Sequence, residues 1–84
     1  MTNKEILKRQ IIYRSMHRGT REMDILLGNF VKKYIDEFND SDLKDLRQLL
    51  FIEDELIYNW YFKKNSNTSV PNTKVSLMLK DFKL

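Results

Sequence analysis

Seven apolar side chains, Met23, Leu26, Leu27, Phe30, Val31, Tyr34 and Phe38, fall at i, i+3, i+4, i+7, i+8, i+11 and i+15. At 3.6 residues per turn these positions share one face, so the segment reads as an amphipathic helix that needs a second layer over its stripe. The rest of the chain supplies that layer in the same period. Leu43, Leu46, Leu49 and Leu50 begin a second stripe, Leu56, Ile57, Trp60 and Tyr61 a third, and Val75, Met78, Leu79 and Phe82 a fourth. Ile6 to Met16 is less regular, with the i, i+4 pairs Leu7–Ile11 and Ile12–Met16, but it holds no helix breaker. No alternating strand pattern or internal repeat interrupts this. The expectation is an all-α fold, a single small five-helix bundle with short connections.

Local signals place the helix ends. Gly19 tolerates a left-handed backbone and is expected to end the first helix, with Thr20 capping the second. The run Asn39 to Asp42 offers caps for the third helix, and Asp54 is expected to cap the fourth. Lys63 to Asn72, an Asn/Ser/Thr cluster with the single Pro71, reads as the one long loop. At 84 residues the chain makes one domain, 1–84, near the lower size for a core without staples. Without cysteine it has no disulfide framework and no thiolate zinc site. The start MTNKEILKRQ is too polar for a secretory signal, and no apolar run reaches the roughly 20 residues of a membrane span. A soluble, intracellular protein is expected.

Charge is unevenly spread. Residues 1–24 hold six basic against three acidic side chains, which accounts for the whole net charge of +3; the other sixty residues balance, nine against nine. The excess gathers around Gly19 in YRSMHRGTREMD, with Arg14, His17, Arg18, Arg21, Glu22 and Asp24. Such a patch attracts an anionic partner, unless it is only a solvated helix face.

Catalysis fits this layout poorly. His17 is the one histidine, and the arginines around it disfavour a metal cation. Ser15 and His17, two residues apart, fall on different faces of a helix, so they make no nucleophile–base pair. RGTRE contains one glycine and is no phosphate loop. Nucleic-acid binding is a fairer reading, since Lys8, Arg9, Arg14, Arg18 and Arg21 suit phosphates and two helices joined at Gly19 loosely suggest a helix-turn-helix. Against it, Glu22 and Asp24 open the second helix with negative charge, and most aromatics fall on core stripes rather than a basic face.

The same stretch carries a family resemblance. Arg18, Gly19 and Glu22 match R-G-x-x-E, and Arg14, Ser15 and His17 fit an R-S-x-R/H-R-G approach to it. EMDILLGNF follows as E-L/M-D-x-x-L-x-x-F, LLFIEDELIYNW resembles an L-L-x-x-x-D-x-x-L-x-x-W block with Asp54 and Trp60 in register, and LMLKDF resembles a closing helix. Tyr61 stands where a leucine usually follows the tryptophan. These four blocks, in order over nearly the whole chain, resemble the small succinate dehydrogenase assembly factors, the flavinylation-factor family. The resemblance implies a five-helix assembly factor, not an enzyme. It implies binding to the flavoprotein subunit of succinate dehydrogenase, and in some members of fumarate reductase, to promote covalent attachment of FAD there. It implies no stably bound cofactor, since the bond-forming groups belong to FAD and the partner. A monomer without nucleic-acid or membrane-insertion roles is expected, in a bacterial cytoplasm or, for a eukaryotic relative, the mitochondrial matrix. A small basic nucleic-acid-binding module and an antitoxin-type protein, a role described for some relatives, stand as alternatives.

On that reading the partner-binding residues are Arg18, Gly19 and Glu22, with Arg14, His17 and Arg21 ringing the same surface. Each also has a plain structural role available. Gly19 serves as a helix end, Arg18 as a cap on the last carbonyls of the first helix or an organiser of the corner, and Glu22 and Asp24 as complements to a helix dipole worth roughly 0.3–1 kcal/mol. Trp60 reads as core, and His17 as a polar contact rather than an acid–base group.

Overall fold

Helix α2, Arg21–Tyr34, forms on the continuous stripe and is the axis of the molecule, which is seen here in a computed structural model that describes residues 2–63 and 70–83. Met23, Leu26, Leu27, Phe30 and Val31 are fully buried along it. The apolar period outlasts the helix: a 3-10 turn, Ile35–Glu37, follows Tyr34, and Phe38 is extended backbone that still buries its ring. Around α2 lie α1 (Asn3–Met16), α3 (Asp40–Leu50), α4 (Asp54–Phe62) and α5 (Lys74–Asp81). The described residues form the all-α five-helix bundle that the periodicity predicts. The expected long loop, Lys63 to Asn72, lies for residues 64–69 outside the described residues.

Caps explain most boundaries. Thr2, Thr20 and Thr73 accept from the backbone N–H of Glu5, Met23 and Ser76 at the starts of α1, α2 and α5. Asn39 and Asp42 make a reciprocal capping box at α3: the Asn39 side chain accepts from the Asp42 N–H at 2.8 Å, and the Asp42 carboxylate accepts from the Asn39 N–H at 3.4 Å. Asp42 also meets the Lys74 ammonium at 3.4 Å, tying α5 to the start of α3. The Tyr61 hydroxyl donates to the Phe82 carbonyl at the end of α5.

Three expectations need correction. Helix α1 ends at Met16 with His17 as its cap residue, and Gly19, two residues further on, is not in the left-handed region. The buried face of α1 is Ile11 with Ser15, flanked by half-buried Leu7 and Ile12, whereas Met16 stays exposed. A serine belongs there because its hydroxyl donates to the Ile12 carbonyl at 2.7 Å, which leaves no unpaired polar atom against the core. Asp54 is not the cap of α4; Glu53 holds that position without a side-chain bond, and the Asp54 carboxylate is engaged elsewhere.

Candidate functional site

The α1–α2 corner rests on the α3–α4 corner, and Arg18 is the joint. Its Nε donates to Asp54 Oδ1 at 2.7 Å, with Nη2 2.6 Å from the same oxygen. Nη1 donates to the carbonyl of Leu50, the last residue of α3, at 2.5 Å, and Nη2 to the carbonyl of Ile52 at 2.8 Å. The Arg18 backbone N–H donates to Asp24 Oδ1 in the first turn of α2, at 2.5 Å. One residue thus ties together three helix ends, the starts of α2 and α4 and the end of α3.

The electrostatics agree at two of them. A cation at the C-terminus of α3 and a carboxylate at the N-terminus of α4 both complement the helix dipoles. The pair is also largely withdrawn from water, with side chains 10% and 21% exposed for Arg18 and Asp54. Charge-assisted bonds in a fixed guanidinium fork are the strong kind, and lysine cannot reproduce the fork. Arg18 therefore organises the corner, and little of its side chain is left to touch anything else.

Gly19 is held by the same carboxylate: its N–H donates to Asp54 Oδ2 at 2.7 Å. A Cβ at Gly19 would stand 3.1 Å from that oxygen, too close unless Asp54 gives way, and Arg18 already restrains Asp54. The glycine is required by close approach rather than by backbone sign. An arginine there would press on the joint as well as on any partner, so it is not a clean probe of the surface.

The remaining candidates divide. His17 lies exposed at the end of α1, stacked on the Tyr13 ring with centroids 4.0 Å apart. Its Nδ1 lies 2.8 Å from the Tyr13 carbonyl, which only accepts, so Nδ1 carries the proton. Arg14 is exposed, its guanidinium 4.3 Å above the Phe51 ring. Both line a groove between α1 and α3. Glu22 lines a separate, smaller pocket with Met23, Asp54, Glu55 and Tyr58. It is exposed and has no ion pair or side-chain hydrogen bond among the described residues. Arg21 is exposed and lines neither depression. The six residues are thus one joint withdrawn from water, one close-approach glycine, two residues on the α1–α3 groove, one on a separate pocket and one on neither.

Three positions that matter here were not assigned to the site from the sequence. Asp54 had a signal, its register in the family block, but its place ahead of an apolar run pointed to capping. Arg47 and Phe51, on α3 and just beyond it, had no local signal, because only the packing of α3 against α1 brings them to Arg14.

No group of three or more His, Cys, Asp or Glu able to hold a metal occurs among the described residues, and none of their helices is long and apolar enough to cross a membrane. The fold and site define a small helical protein whose distinctive feature is a braced, charged corner on its surface. Residues 9–83 match the family model described as flavinator of succinate dehydrogenase, and the chain belongs to that family. It is 37% identical over 81 residues to succinate dehydrogenase assembly factor 2, mitochondrial, of Scheffersomyces stipitis, covering 92% of this chain and 54% of that protein. The Dictyostelium discoideum protein of the same name is 40% identical over 60 residues, covering 71% of this chain and 43% of the relative. The FAD assembly factor SdhE of Acetobacter pasteurianus is 33% identical over 73 residues, covering 87% and 64%. The chain spans about half the length of the curated mitochondrial relatives it matches.

Proposed function

We propose that this protein is an assembly factor that binds the flavoprotein subunit of succinate dehydrogenase and promotes covalent attachment of FAD to it. The observation that carries the reading is Glu22. This residue stands exposed three positions past Gly19 with no partner of its own among the described residues, and it shares a pocket with Asp54, which Arg18 and the Gly19 N–H hold in place. A charge held on a rigid base but left unpaired suits a contact completed by another molecule. The names of the relatives support the choice of that molecule.

In this reading the chain contributes no bond-forming group. FAD and the partner supply the chemistry, and the corner holds the flavoprotein subunit in the arrangement that lets the two react, which is orientation supplied in trans. Arg18 and Asp54 keep the corner in shape, Gly19 permits close approach, and Glu22 pairs with a cation or hydrogen-bond donor of the partner. The flavoprotein of fumarate reductase is proposed as a second client. A single copy of the chain acts, in a bacterial cytoplasm or a mitochondrial matrix.

The test is co-expression with the flavoprotein subunit of succinate dehydrogenase, reading covalent flavin by fluorescence in a denaturing gel. Wild type is expected to raise the signal, and Glu22→Gln to lower it at least about tenfold while circular dichroism and melting stay unchanged. A signal indifferent to the factor would reject the function. A Glu22→Gln protein as active as wild type would reject the contact.

A further inference from the structure

Helices α1 and α3 enclose an open groove of about 680 Å³ that Arg9, Tyr13, Arg14 and His17 line from one side and Arg47 from the other. A smaller depression on α3 continues it through Arg47 to Lys44, Gln48 and the exposed Phe51. No lining residue of either is acidic. Arg9, Arg14 and Arg47 make no ion pair among the described residues, in contrast to Lys4, Lys8, Arg18 and Lys74, which all do.

The cations also converge. The Arg14 and Arg47 guanidinium carbons lie 4.3 and 5.8 Å from the centroid of the one Phe51 ring, so the two charges are at most about 10 Å apart, within roughly a Debye length at 0.1 M salt. Like charges that close repel, and the aromatic ring that holds them in place compensates only part of that repulsion. An anion in the groove would relieve it. Arg14 and Arg47 are thus held where an anion would be attracted, and Arg9 lines the same groove.

We propose that this groove docks an extended, carboxylate-rich segment of a protein partner. Five residues of α1 separate Arg9 from Arg14, a rise of about 7.5 Å. Side chains on one face of an extended chain recur at roughly 7 Å, so alternate carboxylates of such a segment meet successive arginines. The guanidinium fork pairs with a carboxylate through two parallel bonds, and Tyr13 and Phe51 offer apolar surface between the charges. A nucleic-acid backbone fits less well. Its charge continues beyond any one groove, and past Gly19 the surface turns acidic, with Glu22, Asp54 and Glu55 on one pocket. The proposal stands apart from the flavin-assembly reading, since it concerns the α1–α3 face and is tested without a flavoprotein.

The experiment is a fluorescence-anisotropy titration of the full chain with a labelled ten-residue peptide carrying glutamate at alternate positions, at low and high salt. Its lysine counterpart, inorganic pyrophosphate and a short single-stranded RNA serve as competitors. The glutamate peptide is expected to bind and to weaken with salt, Arg14→Glu and Arg47→Glu each to lower affinity about tenfold, and Lys32→Glu, the same charge change on α2, to alter it less than about twofold. Nuclear magnetic resonance of the wild-type protein is expected to show the peptide shifting the side-chain Nε–Hε signals of Arg9, Arg14 and Arg47, which decides the matter if a variant fails to fold. Absence of binding, equal weakening by Lys32→Glu, or shifts confined to other residues would overturn the proposal. So would displacement by pyrophosphate or by RNA at concentrations no higher than the peptide needs, the first marking a small-anion site and the second a nucleic-acid surface.

Discussion

The two ends of α2 are built from different materials. At its C-terminal end, Phe30, Tyr34, Phe38 and Phe82 form a cluster with ring centroids 5.2 to 6.3 Å apart, and Lys33 lies over the Tyr34 and Phe82 rings. At its N-terminal end, Arg18, Asp24 and Asp54 hold the chain with charge-assisted bonds to carboxylates, carbonyls and the Gly19 N–H. Ring clusters are stable under small displacements, because apolar contact has little directional demand. A guanidinium fork tolerates neither a shift of an ångström nor a wrong angle. The aromatic end supplies stability, and the corner supplies a fixed geometry on which exposed groups can be presented.

That contrast can be broken at either end. The largest stability loss is expected from Phe30→Ala, about 3–5 kcal/mol for a fully buried aromatic, seen as a lowered melting temperature or no folded protein at all. Arg18→Ala is expected to cost less, about 2–3 kcal/mol, because Asp54 retains some contact with water even when stripped of its partner. In Arg18→Ala, denaturant midpoints should fall and the amides of residues 17 to 24 should exchange faster, while the aromatic end keeps its native near-ultraviolet signal. A corner mutant that instead lost the aromatic signal in parallel would show that the two ends are one cooperative unit. Asn39→Ala, which removes half of the capping box, is expected to cost about 1 kcal/mol in thermal melts.

The two glycines sharpen the comparison further. Gly28 is buried inside α2, and a Cβ there would meet Met16 and Ser15 at 3.7 and 3.9 Å, ordinary contact distances. Gly28→Ala should stabilise the protein by about 0.5–1 kcal/mol through helix propensity and unfolded-chain entropy. At Gly19 the same change presses on Asp54 and should destabilise. Equal effects at both sites would reject the close-approach account of Gly19. The smallest stability change is expected for Glu22→Gln, under about 0.5 kcal/mol from the helix dipole, against the largest loss of flavin attachment among variants that fold.

Most of this architecture was legible in the sequence, for a local reason. The α2 stripe repeats within each turn, so six of its seven members could be assigned to the core by counting alone, Phe38 among them though it lies just past the helix, with Tyr34 at the edge. Serine at position 15 was missed because a period of apolar residues cannot register a polar one that bonds its own helix. The joint was missed for a different reason. Asp54 has every local credential of a cap, and only a partner 36 residues away in sequence reveals that its carboxylate is taken. Motif matching placed Arg18, Gly19, Glu22 and Asp54 in register but gave no hint that Arg18 and Asp54 face each other inside while Glu22 faces out.

The sequence distance across that joint also sets its place in time. The bonds of Arg18 to Leu50, Ile52 and Asp54 span 32 to 36 residues, and each needs helix ends that already exist before it can form. Local turns of helix arise far sooner than contacts closed over such loops. The corner is therefore expected to assemble late, after the helices it joins, so that its strength lies on the unfolding side of the barrier. Weakening it should leave the refolding rate nearly unchanged and speed escape from the native state, so the lifetime of the presented surface is set by how slowly one arginine lets go.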